Sequence, residues 1–194
     1  GVPLTAVNND GGQPIHVAAQ HGHLKVVQFL CLHGASHTPP TAEHYDSIQS
    51  AARNHPAVLA WLQRTRDFTT PLHHLELLSA ARARALLRAG AALGARARPD
   101  APSPFDVARQ LLRQPGGATA AGSDAARLVV QAVQSWSPQT HALWPAGGRA
   151  RAEELVRLGW LLWNVQQSPG PFSGGEQSRM DSWRGCVMAQ ELVR

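Results

Sequence analysis

Residues 11–35 of this 194-residue chain read GGQPIHVAAQHGHLKVVQFLCLHGA, and the order of residue types in this stretch decides the fold. A glycine-rich turn is followed by Pro14, an Ala pair, a Gly-His turn, a second apolar segment and a closing Gly-Ala. Proline suits the first turn of a helix, and glycine suits the left-handed residue that ends one. The stretch therefore predicts two short helices joined by a tight turn.

The same order of residue types returns at a fixed interval along the chain. The pair Ala18-Ala19 recurs as Ala51-Ala52, and Thr-Pro-Leu-His at 70–73 is followed by Ser-Pro-Phe-Asp at 103–106 after the same interval. Thr70 and Ser103 are the N-cap residues that such helices need. A single pair of short helices cannot bury its own apolar face, so units of this kind are stable only when they stack.

This pattern resembles the ankyrin repeat, which has a turn, two antiparallel helices, a period of about 33 residues and a Thr-Pro-Leu-His signature. The resemblance covers residues 1–134, is strongest at 11–35 and clear at 69–91, and implies about four partial or degenerate repeats. Gly1 precedes Gly34 by one such period, so we expect the chain to begin in the tail of a repeat. The resulting expectation is an all-α ankyrin-repeat solenoid followed by a helical C-terminal cap at 135–194.

The resemblance also implies structural roles for single residues. His16 and His73 stand at the fourth position of the signature, where the histidine of an ankyrin repeat bonds backbone and the signature Thr and ties one turn to the next. His23, at the turn between two helices, is expected to act in the same way. His74 has no such role and is expected at the surface. The remaining scaffold positions begin or end helices, and they are Pro71, Gly34 and Gly90.

An apolar stripe at helical spacing is expected to form the core of the stacked helices. It consists of Val26, Val27, Leu30 and Leu87, and Cys31 is expected to pack beside it as a small apolar residue. The second cysteine, Cys186, is distant in the sequence, and neither cysteine has a CxxC neighbour. This usage favours a reducing compartment, so we expect an intracellular, cytoplasmic protein, with the nucleus as the alternative.

The positions that would meet a partner follow from the resemblance. Partners of ankyrin arrays usually contact the turn tips and the exposed ends of the first helices, which form one concave face. The single Tyr of the chain belongs to this set, and Tyr and Arg are favoured at interfaces. The expected partner-binding residues are Asn9, Asp10, Gly12, Gln20, His21, Glu43, Tyr45, Arg53 and Asn54.

The excess of positive charge is confined to one segment. The net charge is +5, and residues 80–113 carry seven Arg against two Asp. Nucleic-acid binding through the Arg-rich segment 82–113 is therefore an alternative function. A nucleic-acid reader would add aromatic side chains for stacking, and residues 69–104 contain none. An acidic protein partner, or solvation of an Ala-rich helix, explains these arginines better.

The C-terminal third predicts a cap over the end of the array. The segment from Gly116 predicts a loop, followed by helices at about 124–133, 148–163 and 177–193. This region resembles the tail that follows short ankyrin arrays in protein families of unicellular algae. The residues expected to cover the last repeat are large and apolar, and they are Trp136, Trp144, Leu155, Trp160, Leu161 and Trp183.

No catalytic constellation is present in the sequence. It contains no GxSxG, no glycine-rich phosphate loop after a strand and no HExxH, and the His spacing does not suit a zinc site. We therefore predict a non-enzymatic protein–protein interaction scaffold or adaptor, monomeric, without cofactor, metal or membrane span. A substrate-recognition subunit of a ubiquitin ligase is the other alternative, although its Leu-Cys box motif is missing. The identity of the protein partner cannot be read from the sequence.

Overall fold

The structure, a computed structural model, describes residues 3–36, 47–113, 120–134 and 136–166, with side chains described as far as residue 161. Every regular element in these ranges is helical, which confirms the all-α class. Short 3₁₀ turns occur at Pro71–His73 and His141–Leu143. The helices are α1 (Pro14–Gln20), α2 (Leu24–Leu32), α3 (Ile48–Ala51), α4 (Pro56–Arg64), α5 (Ala80–Arg88), α6 (Pro104–Arg113), α7 (Ala120–Val133) and α8 (Ala146–Gln166).

The helices form successive pairs that stack on one another. Helices α1 and α2 form the first pair, and α3 and α4 form the second. The 3₁₀ turn Pro71–His73 and α5 make up the third unit, in which Leu72 and Leu87 share one core cluster, and α6 with α7 forms the fourth. Helix α1 packs on α3, α2 on α4, and α5 on α7, so neighbouring pairs share their apolar faces.

The helix ends have local causes in the sequence. Ser47 Oγ accepts from the amide of Ser50 at 3.2 Å, and Ser79 Oγ accepts from the amide of Arg82 at 3.2 Å, so each serine caps a helix. Proline occupies the first turn of α1 and α4. At the end of α5, Gly90 takes φ 83°, a left-handed conformation that glycine adopts without steric cost.

Two clusters of buried side chains form the core. The first joins the first two pairs around Ile15, Val27 and Leu62, and the second joins the third and fourth pairs around Leu87 and Val129. Each of these side chains is less than 2% exposed. The stacked pairs thus bury their apolar faces between them, as the stacking argument requires.

The pairs differ from the expected repeats in two places. In the third pair the 3₁₀ turn Pro71–His73 stands in place of the first helix, and α5 begins at Ala80. In the fourth pair, α7 begins at Ala120. Residues 120–123, Ala-Ala-Gly-Ser, were predicted to belong to the loop from Gly116 and are part of the helix instead. The Ala pairs extend the helix, because alanine has the strongest helix propensity.

The apolar stripe of α2 is narrower than the sequence predicts. Val27, Leu30 and Cys31 are buried, whereas Val26 is 46% exposed and Phe29 is 55% exposed. Val26 lies on the side of α2 that no described helix covers, so its assignment to the core is corrected.

The described residues after the fourth pair have a small core of their own. Trp144 is 3% exposed and packs with Ala152, and Trp136 and Leu155 pack against this pair. Trp160 and Leu161 were expected to cover the array, but they are 58% and 43% exposed because they lie on other faces of α8. The helix predicted at 177–193 and its Trp183 lie outside the described residues. The division into an array at 1–134 and a cap at 135–194 stays a prediction.

Candidate partner-binding surface

The first turn tip presents Asn9 and Asp10 to solvent on a fixed backbone. Asn8 Oδ1 accepts from the amide of Asp10 at 3.1 Å and from the amide of Gly12 at 2.7 Å. The amide of Asn8 donates to the Gly12 carbonyl at 2.9 Å, and Gly11 takes φ 83°. These bonds hold the tip in one conformation, so its two exposed side chains are displayed without a large loss of backbone entropy on binding.

One described member of the expected partner-binding set does not join this surface. Gly12 is buried, because its amide faces Asn8 inside the turn, so its assignment as a contact residue is corrected. Glu43 and Tyr45 lie outside the described residues, and their assignment stays a prediction.

The second part of the surface combines residues from two neighbouring pairs. Gln20 and His21 end α1, Arg53 and Asn54 follow α3, and all four are exposed. His55 Nε2 donates to the carbonyl of Gln20 at 2.9 Å, which fixes the end of the second pair's turn against the end of α1. The backbone segments that carry these four residues are therefore held next to each other. Helix α1 has seven residues and is about 10 Å long, so the tip with Asn9 lies at its other end.

Gly22 allows this close approach. Its φ is 72°, and a Cβ at this position would collide with the ring of His55, whose Cε1 would lie at 2.8 Å. Sequence reasoning gave His55 no role. The signal was available, because His55 occupies the same N-cap position before α4 that His23 occupies before α2.

A family model described as ankyrin repeats (many copies) matches residues 1–30, which include the turn tip, α1 and most of α2. Residues 1–30 are thus similar to ankyrin repeats, and the stacked helical pairs of the structure agree with this family. Ankyrin repeats are in general protein–protein interaction modules, and the family is typically not enzymatic. No curated protein matches the chain.

In the third ankyrin repeat, His73 bonds to backbone on both sides. Its Nδ1 accepts from the amide of Thr70 at 3.2 Å and lies 3.0 Å from Thr70 Oγ1. Its Nε2 donates to the carbonyl of Pro102 at 3.2 Å, in the turn that precedes the fourth repeat. This geometry needs a neutral ring with the proton on Nε2, and burial lowers the pKa of His73, although its backbone bonds raise it.

The first and fourth repeats place other acceptors at the same position. His16 Nδ1 accepts from the amide of Gln13 at 3.2 Å, and burial lowers the pKa of His16. In the fourth repeat Asp106 Oδ2 accepts from Ser103 Oγ at 2.7 Å and from the amide of Ser103 at 3.0 Å. These bonds from Ser103, helped by Arg96 at 2.6 Å, lower the pKa of Asp106.

His74 was expected at the surface, and this expectation is wrong. The side chain is 4% exposed. Its ring stacks on Trp61 with 5.4 Å between centroids and meets the edge of Phe68 at 5.2 Å. The physical cause is that α4 of the preceding ankyrin repeat lies over the signature turn of the third repeat.

His23 does not have the contacts expected of it. It is exposed, its side chain forms no cap bond, and its ring lies 6.1 Å from that of His21. Its assignment as an inter-repeat tie is corrected. The equivalent His55 of the second repeat makes such a contact, because a preceding repeat lies beside it.

The basic segment divides into paired and solvent-exposed arginines. Arg96 pairs with Asp106 at 2.6 Å, and Arg98 pairs with Asp67 at 2.8 Å. On α5 the Arg side chains are exposed, and the Nε of Arg88 donates to the carbonyl of Ala142 at 2.9 Å. Several cations of the segment are thus used within the fold. All seven arginines of the segment nevertheless remain exposed to solvent.

Two further features concern metals and membranes. Among the residues that the structure describes, His, Cys, Asp and Glu side chains form no group of three that could hold a metal ion. Within the same ranges, no helix combines the length and apolar character needed to cross a membrane.

Proposed function

We propose that this ankyrin repeat protein is a scaffold or adaptor that binds a partner protein through the recognition face, defined as Asn9, Asp10, Gln20, His21, Arg53 and Asn54. The observation that carries the proposal is the bond from His55 Nε2 to the carbonyl of Gln20 at 2.9 Å. It fixes the turn of the second repeat against the end of α1, so that the proposed face includes residues from both repeats.

The chemistry of this face suits selective recognition by hydrogen bonds and charge. Asp10 supplies an anion at the tip, and Arg53 supplies a cation where the two repeats meet. Gln20 and Asn54 add amide groups that can donate and accept. A rigid backbone beneath such side chains lowers the entropic cost of binding. Tyr45, which lies between the residues of these two repeats in the sequence, is proposed as a further contact.

The experiment is affinity purification of the full chain from cells, followed by quantitative mass spectrometry. Wild type is compared with Arg53→Glu on the recognition face and with the matched control Arg82→Glu on the exposed side of α5. We expect a partner whose recovery falls at least tenfold with Arg53→Glu and less than twofold with Arg82→Glu. Melting curves establish that both variants remain folded.

Other results would assign another function. Recovery of ubiquitin-ligase subunits together with a protein that depends on Arg53 would favour the substrate-recognition alternative. Recovery of nucleic acid that survives about 150 mM salt and depends on Arg82 would favour the nucleic-acid alternative. If no protein depends on Arg53, the recognition face is not the binding surface.

A further inference from the structure

A cavity of about 920 Å³ lies on another part of the molecule. It is bounded by the loop that follows α5 (residues 90–96), by the beginning of α6, by the end of α7 and by the beginning of α8. The cavity is open to solvent on one side. Its volume is within the range of about 300–1,000 Å³ that is typical of ligand-binding clefts.

The walls of the cavity are mostly apolar. Trp144 is 3% exposed and contributes to its lining, together with Phe105 of α6 and Val133 of α7. The opposite wall is the sequence Gly-Ala-Ala-Leu-Gly-Ala at 90–95, whose small side chains allow a second polypeptide backbone to approach closely. Such a cleft suits a large apolar side chain that enters from an extended or helical segment.

The charges around the cavity are positive. Arg96 lines it, and Arg88 lies beside it because its Nε bonds to the carbonyl of Ala142, two residues before Trp144. Arg149 directly follows Gly148 of the lining, and its Nε is buried without an acceptor among the described residues. The nearby carboxylate of Asp106 is already bonded to Arg96.

A buried donor without an acceptor is uncommon in folded proteins, because its desolvation is not compensated. The Nε of Arg149 is such a donor, and Arg149 directly follows Gly148 of the cleft lining. A carboxylate is the acceptor that a guanidinium binds best. The geometry points to an occupant that carries an apolar anchor and at least one adjacent carboxylate.

We propose that this cleft binds an acidic segment of a partner protein, in which one large apolar side chain enters the cavity and flanking Asp or Glu residues bind Arg149 and its neighbours. The proposal rests on the proposed function only in taking the partner to be a protein. It uses a separate surface, formed by the third and fourth repeats and the cap, and can fail while the recognition face stands.

The experiment is selection of a phage-displayed library of random 12-residue peptides on the full chain. Enriched peptides are then titrated by fluorescence anisotropy. We expect them to carry one large apolar residue flanked by two or more acidic residues. Their binding should weaken as ionic strength rises, because the contacts include charge pairs at the surface.

Two glycines provide a matched pair of variants. Gly94 lines the cavity and Gly147 does not, and at both positions an added Cβ would meet open space. Gly94→Phe should block the cavity and weaken peptide binding at least tenfold, whereas Gly147→Phe should change it less than twofold. If Gly94→Phe does not fold, Ala92→Phe serves as the blocking variant, because Ala92 also lines the cavity and is exposed.

A second pair of variants tests the charge. Arg149→Gln should weaken peptide binding about three- to tenfold, and Arg127→Gln, at an exposed position on α7 beside Asp124, should leave it unchanged. The fold-change expected for Arg149 corresponds to loss of one charge-assisted bond.

Several outcomes would overturn the proposal. They are the absence of enriched peptides, enriched peptides without acidic residues, and equal binding by Gly94→Phe and wild type. Peptide binding that depends on Arg53 instead would place the site on the recognition face. A concentration-dependent dimer that Gly94→Phe abolishes would identify a second copy of this chain as the occupant.

Discussion

Replacing His73 and His74 separately by Ala tests how the third repeat is held. His73→Ala removes the acceptor for the amide of Thr70 and the donor to the carbonyl of Pro102. Leaving such buried groups without partners costs roughly 1–3 kcal/mol. His74→Ala removes no part of this tie, but it removes the ring that stacks on Trp61 at 5.4 Å. An aromatic pair contributes about 0.5–1.5 kcal/mol beyond its buried area, so with the cavity term we expect roughly 1–3 kcal/mol here as well.

The free energy of unfolding is measured by urea denaturation at pH 7.5, where the neutral rings dominate. His33→Ala is the matched control, because His33 is exposed and rests on Phe29 at 4.1 Å; it should cost under about 0.5 kcal/mol. His73→Gln should recover part of the loss, because glutamine at this helix position can accept from the N-cap amide. A double-mutant cycle of His74→Ala with Trp61→Leu should give a coupling energy of about 0.5–1.5 kcal/mol.

Either of two results would contradict the roles given to His73 and His74. If His74→Ala costs no more than His33→Ala, the ring of His74 does not hold the second and third repeats together. If His73→Gln is as unstable as His73→Ala, the loss comes from packing and not from the bond to Thr70.

Three further predictions follow from single contacts. Gly22→Ala should lower the Tm more than Gly34→Ala. Both glycines have positive φ, but only at Gly22 would an added Cβ meet another side chain, the ring of His55. Equal losses of Tm would contradict this. Burial lowers the pKa of His73 below 6.5, so the unfolded chain binds more protons than the folded chain as acid is added. The free energy of unfolding should therefore fall as the pH drops below about 6.5, and His73→Gln should reduce this pH dependence in urea titrations. Cys31 is 2% exposed and burial raises its thiol pKa to about 12, so peptide mapping should find it alkylated at pH 7.5 only after unfolding.

The period and the helix ends were predictable from the sequence because their causes are local. Proline at the start of α1 and glycine after α5 act within one turn of chain, so residue type alone indicates them. The constant spacing of these signals then indicated the class of fold. Local rules could not show that the first helix of the third repeat shrinks to Pro71–His73, since Pro71 begins both forms.

The contacts between repeats were less predictable, because they depend on which residues meet across the stack. His73 and His74 are neighbours in the sequence, and only the position of α4 decides that His74 is covered by Trp61. In the same way His23 and His55 have equivalent positions along the repeat. His23 is exposed, whereas His55 lies against the end of the first repeat and bonds to Gln20.

The signature position also shows what the fold requires chemically. His16, His73 and Asp106 all accept a hydrogen bond from the residue three positions earlier, so the requirement is an acceptor and not an imidazole. The two kinds of acceptor differ in how they respond to acid. Histidine loses its acceptor when it is protonated, and burial moves this protonation of His16 and His73 below the ordinary pKa of 6.5. The pKa of Asp106 is lowered from 3.8, so its carboxylate keeps its acceptor to a still lower pH. We therefore expect falling pH to break the bonds that His16 and His73 accept before it breaks the bond that Asp106 accepts. The fourth repeat, which lies next to the cleft proposed for an acidic segment, should keep this bond at a pH at which the first and third repeats have lost theirs.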